Sequence, residues 1–178
     1  QGECYILTVK IIGFLFVTVG GSMFGRYIWE RYMLRVKVLE EWQRMLIEIN
    51  GEINYSAQSM SQICRQMSKT SVYGKKFWDG IAKKTEERNA GLPGEFWREH
   101  LREYRYIELL SNEDKEIICQ FGESFGTLDI CSQINEIELF EKRLEKNLSD
   151  ARQKMVEQKK ICIVMGVISG MMTGICLL

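Results

Sequence analysis

The sequence predicts an all-α protein: an antiparallel bundle of about six helices, flanked by an N-terminal and a C-terminal transmembrane helix. Three observations carry this reading. Apolar residues recur every three or four positions through most of the chain, and no strand-like alternation exceeds four residues. A single proline, Pro93, interrupts 178 residues, and proline is the residue that breaks helix interiors. Two uncharged apolar runs stand near the ends, Ile11–Gly25 and Ile161–Leu178.

The first run extends back through Tyr5–Val9 and the isolated Lys10, giving a span over 5–25. At about 1.5 Å of rise per residue, it reaches roughly the thickness of a bilayer core. Lys10 lies near one end of it and can snorkel to the interface. A cleaved leader is the other reading of such a run, but Arg26, Arg31, Arg35 and Lys37 follow at once and suit an anchor. The second span is 161–178, 18 residues without a charge.

Between them, 26–160 reads as a helical bundle domain. From Arg26 a long amphipathic helix carries Val36, Leu39, Trp42, Leu46, Ile49 and Ile53 on one face, weakened near its end by Gly51 and Asn54. Ser56 or Ser59 caps a second helix bearing Met60, Ile63, Cys64 and Met67. A third covers about 72–88, with Phe77, Trp78 and Ile81. The stretch Asn89–Gly94, "NAGLPG", is a break. A fourth helix follows with Phe96, Trp97, Leu101, Tyr104 and Ile107. Ser111–Glu116, "SNEDKE", places acids at a helix start and opens a fifth, through Phe121 and Phe125 to Gly126. The last helix begins near Asp129, carries Ile130, Ile134, Ile137, Phe140, Leu144, Leu148, Ala151 and Met155, and runs into the final apolar segment.

Charge orients the chain. Arg26, Arg31, Arg35 and Lys37 outnumber Glu30 and Glu40 after the first run; Arg152, Lys154, Lys159 and Lys160 outnumber Asp150 and Glu157 before the second. The middle, 41–149, holds 15 basic and 19 acidic residues. By the positive-inside rule the bundle is cytoplasmic and both termini lie outside, with Cys4 outside and Cys64 inside. Overall the chain has 24 basic and 24 acidic residues, so nothing in its balance points to nucleic acid.

The sequence holds no phosphate-binding glycine loop, zinc-protease or nucleophile-elbow motif. Six cysteines without C-x-x-C spacing and a lone histidine, His100, call for no metal and no cofactor; the cysteines read as reduced, packed thiols. His100 sits among charges and reads as solvated. Glu86, Glu87, Glu99 and Glu103 have basic neighbours at helical spacing and read as a salt-bridged surface. The one sharp pattern is glycine at 166, 170 and 174, echoed by Gly21 and Gly25. Small residues on one face let transmembrane helices approach closely, within the hairpin or in self-association.

Two blocks complete the reading. "KIIGFLFV" with "ERYMLRVKVLEEWQRMLIEINGEINY", and "FGESFGTLDICSQINEIELFEKRLEKNLSDARQK" before the apolar tail, resemble the bacterial stage III sporulation protein AB family. The resemblance covers about 5–66 and 112–178. Its most specific marks are Glu48, Glu52 and Tyr55, then Phe121, Gly122, Gly126, Asp129 and Gln133. Ser56–Ile63, "SAQSMSQI", replaces the proline-bearing turn common in that family.

The resemblance implies a non-enzymatic membrane scaffold in a secretion-like channel complex between mother cell and forespore. Its soluble domain would be similar to that of the F-type platform protein of type II secretion. The implied partners are a cytoplasmic ATPase and other membrane subunits, in the mother-cell membrane around the forespore. A membrane-tethered sensor or adaptor signalling through the stalk helices is the rival expectation.

Overall fold

One helix, α1 (Gly2–Tyr55), runs 54 residues without a break in the computed structural model. The structure describes residues 2–55, 58–87, 92–125 and 130–177. Within these helices, side chains at 2–11, 14, 15, 17, 18, 130, 131, 162, 163, 166, 167, 169–171 and 173–177 lie outside the described set. After α1 come α2 (Met60–Thr70), α3 (Lys75–Glu86), α4 (Pro93–Arg102), a 3-10 turn (Ile107–Leu109), α5 (Asn112–Ser124) and α6 (Ile130–Leu177, 48 residues). Among the described residues every regular element is helical.

Local signals explain most boundaries. Ser59 caps α2: its Oγ accepts the Gln62 amide while the Gln62 side chain accepts the Ser59 amide. Ser111 and Asp114 do the same for α5. Pro93 opens α4, where its missing N–H costs nothing. Two expectations shift. The fourth helix stops at Arg102, short of Tyr104, and Ile107 falls in the 3-10 turn instead. The third helix starts at Lys75 rather than near residue 72, because the amides of 72–74 are turned to a carboxylate on α1.

The chain divides into two compact units. One is formed by 1–34 together with 151–178; the other is 35–150. The second unit holds an aromatic core. Trp42 of α1 meets Phe77 and Trp78 of α3 at 5.4 and 5.5 Å between ring centroids. Trp97 of α4 packs edge-on against Phe77 and Trp78, then against Phe121 of α5. Phe140 of α6 continues the series from Phe121. Edge-to-face pairs of this kind add to what their buried area contributes. Thus α3 packs on α2 and α4, α4 on α5, and α1 lines the base through Val38, Leu39, Met45 and Leu46.

In the first unit the long helices carry exposed apolar side chains among the described residues. Ile12, Phe16, Val19 and Met23 follow one stripe of α1, with Phe16 at 81% exposure. Ile161, Val164, Met165, Ile168 and Met172 are exposed on α6. Among the described residues no helix is long and apolar enough to cross a membrane. Both predicted spans fall largely on side chains outside the described set.

Candidate functional site

The polar chemistry of the 35–150 unit is directed inward. Asp114, in the first turn of α5, is fully buried. Its Oδ2 accepts Nε–H and Nη2–H of Arg35 at 3.1 and 2.8 Å, and the Ser111 amide at 2.8 Å. Its Oδ1 accepts the Asn147 side-chain amide of α6 at 2.9 Å. One carboxylate thereby ties α1, α5 and α6 together. A buried charge survives only when so fully paired.

Glu41 performs a similar task between α1 and the α2–α3 turn. Its Oε1 accepts the Ser71 hydroxyl at 2.6 Å and the amides of Tyr73 and Gly74 at 2.8 and 3.0 Å. Its Oε2 accepts the Val72 amide at 2.8 Å. Successive amides turned one way form an anion-binding nest. Here the protein's own side chain fills it.

Two glycines permit close approach. A Cβ on Gly122 would collide with the Trp97 indole. That indole lies across α5 and donates Nε1–H to the Ile118 carbonyl at 3.0 Å. A Cβ on Gly80 would collide with His100, whose Nδ1 pairs with the Phe96 carbonyl at 2.8 Å. The solvated reading of His100 is therefore corrected: its ring is half-buried, wedged between α3 and α4.

Glu87 pairs with Lys84 at helical spacing, 2.9 Å, as expected, whereas Glu86 meets Arg65 of α2, 21 residues away, at 2.7 Å. Arg98 pairs with Glu123. Cys64 and Cys119 are free thiols. Burial pushes Cys64 up to about 12 and also raises Cys119. Desolvation likewise raises Tyr104, with the Glu41 charge adding to it. Glu141 is raised chiefly by burial, and its Oε1 finds no hydrogen-bond partner among the described residues. Among the described residues no cluster of His, Cys, Asp and Glu could hold a metal.

The residues singled out by sequence fall into distinct places. Glu48 and Glu52 both accept from the Gln66 side chain of α2, at 3.2 and 3.0 Å. Tyr55, at 92% exposure, and Ile47 stand on the same face of α1, eight residues apart. Phe121 and Gly122 are core, and Gln133 is buried on α6. Gly126 and Asp129 lie outside the described residues, as do the side-chain positions of Gly166, Gly170 and Gly174. A Cβ on Gly21 meets nothing within 4 Å, and Gly25 is half-exposed.

Of the basic residues, Arg26 pairs with Glu30 at 2.9 Å. Arg31, Lys37, Arg152, Lys154, Lys159 and Lys160 are exposed. Arg35, grouped by sequence with this flank, is the interior partner of Asp114 instead. Glu41, Asp114 and Asn147 were not foreseen as anchors. Only the acidic helix start at Asp114 hinted at one of them.

This combination defines an all-helical protein built on two very long helices, with its buried polar groups used to fix one helix to another. The comparisons with known proteins agree. The family model described as stage III sporulation protein AB matches residues 10–178, and the chain belongs to that family. It is 24% identical over 169 residues to stage III sporulation protein AB of Bacillus subtilis (strain 168), covering 92% of this chain and 96% of that protein. A solved structure of a stage III sporulation protein AB shares the fold with a TM-score of 0.59 at 23% identity, covering 69% of this chain and 97% of that one. Family membership supports a role in sporulation.

Proposed function

We propose that this protein is a non-enzymatic membrane scaffold of endospore formation, anchored by the helices over 5–25 and 161–178. Its bundle faces the mother-cell cytoplasm and docks a cytoplasmic ATPase and other membrane subunits of a secretion-like channel complex. The observation that carries the membrane anchor is the uncovered apolar surface of α1 and α6, Phe16 and Met172 above all. Such surface is unfavourable in water at about 25 cal/mol per Å², a penalty that lipid removes. Basic residues begin where each apolar stretch stops, as membrane-flanking segments do.

The scaffold role is supported by the inward use of charge. Arg35, Glu41 and Asp114 are committed to holding helices together. The uncommitted surface includes the exposed Ile47 and Tyr55 of α1, while Glu48 and Glu52 beside them hold Gln66 of α2. We assign that surface to the partner.

A photo-crosslinker at Tyr55 in sporulating cells tests the assignment: it should trap the ATPase or a membrane subunit of the complex, and crosslinks to neither overturn it. Topology is read with Gln58→Cys, an exposed position, which should label from the cytoplasmic side. Cys64 cannot serve, since its thiol is fully buried.

A further inference from the structure

We propose that the basic segments of the 1–34/151–178 unit bind anionic phospholipid headgroups, an inference that rests on the membrane anchoring above. Four cations carry it: Arg31 on α1, and Lys154, Lys159 and Lys160 on α6. All are exposed, and among the described residues none makes an ion pair with a carboxylate. Two of the nearby acids have partners. Glu30 is held by Arg26 at 2.9 Å, and Glu157 accepts the Gln153 side-chain amide at 2.9 Å. Residues 26–34 and 151–160 hold six basic side chains against Glu30 and Glu157, so positive charge is in excess within one compact unit.

Aromatic residues mark the depth. Tyr27 is 58% exposed, and Trp29 and Tyr32 are half-exposed on the same stretch of α1. Tyrosine and tryptophan favour the headgroup level, where one end of the ring is apolar and the other wet. Lys160 adjoins Ile161, the first residue of the uncharged run. The headgroup layer extends roughly 5–7 Å beyond the hydrocarbon. Lys159 and Lys160 fall inside it. Arg31 and Lys154 lie about 9 and 10 Å along their helices from the uncharged runs, and reach the layer only through their flexible side chains. The phosphates of anionic lipids supply the missing counter-charge at that level.

The test places the full chain in vesicles of phosphatidylcholine alone and of phosphatidylcholine with phosphatidylglycerol. Quenching of Trp29 fluorescence by headgroup-labelled lipid is then read against a Trp29→Phe background. Labelled phosphatidylglycerol should quench more strongly than labelled phosphatidylcholine. Lys159→Gln with Lys160→Gln should cut that preference by about fivefold or more, and Lys154→Gln should cut it less. Raised salt should weaken it in the same order.

Equal quenching by both labelled lipids overturns the proposal, as does the absence of quenching in chains that float with the vesicles. Chains that float with neither vesicle overturn the membrane reading and, with it, this one.

Discussion

Arg35 and Asp114 stand 79 residues apart in the chain and meet at 2.8 Å, the carboxylate fully buried and the arginine side chain partly so. Removing one partner of such a pair strands the other. Asp114→Ala should destabilise the protein by about 3–5 kcal/mol, since it also deletes the α5 capping box and the Asn147 contact. The paired replacement Arg35→Met with Asp114→Leu should cost clearly less than the sum of the single changes. A urea denaturation cycle over the four proteins measures this; strict additivity argues against a coupled pair.

Gly122→Ala separates two opposite effects. In an exposed helix the change stabilises by about 1 kcal/mol through propensity. Under the Trp97 indole it forces the ring off α5 and away from the Ile118 carbonyl. Overpacking should win, with a net loss of about 1–3 kcal/mol. A lowered denaturation midpoint, with altered tryptophan fluorescence, is the expected result; a raised one contradicts the geometry.

Glu41→Ala leaves the Ser71 hydroxyl and the amides of Val72 and Tyr73 without their acceptor, while the Gly74 amide keeps Ser71 Oγ. The expected cost is about 2–4 kcal/mol. Hydrogen exchange should accelerate selectively at residues 72 and 73 while the amides of α5 stay protected. Uniform acceleration through both regions would mean global loosening instead.

The buried Cys64 thiol predicts alkaline sensitivity. Its folded-state value of about 12 lies above that of an exposed thiol. A raised value means the neutral form is favoured in the fold. The contribution is fully present below the unfolded thiol's pKa and falls away as pH climbs through the window up to about 12. Stability should therefore decline across that window. Cys64→Ala should show a shallower decline from its lower starting stability. In the native protein at neutral pH, an alkylating reagent should modify Cys119 well before Cys64.

Exposed ion pairs should matter little by contrast. Arg65→Ala, which breaks the well-formed pair with Glu86, should cost under about 1 kcal/mol because both side chains are in water. A larger loss would give this pair a role in holding α2 to α3.

Much of the bundle was legible because its signals are local. Ser59 and Ser111 sit three residues before a glutamine and an aspartate, and both cap as that spacing implies. The α1 series Val36, Leu39, Trp42, Leu46 and Ile49 is buried, and Ile53 at its end is half-buried. What stayed hidden depends on partners far along the chain. Nothing near Glu41 announces that its acceptor oxygens meet amides about thirty residues later, or that Arg35 turns inward while Lys37 does not. Of the candidate site, the glycine at 122 was visible as a family mark. The reason for it, an indole arriving from α4, was not.

The nest closed by Glu41 also bears on the order of assembly during synthesis. The acceptor lies on α1 and leaves the ribosome before the turn that needs it. Residues 71–74 thus emerge with their docking partner already made. Had the order been reversed, the turn would have waited with buried-to-be amides exposed to competing anions. The α2–α3 hairpin is in this sense a dependent piece, templated by a helix that precedes it. A chain begun downstream of residue 41 should be unable to close it, however complete its own apolar face.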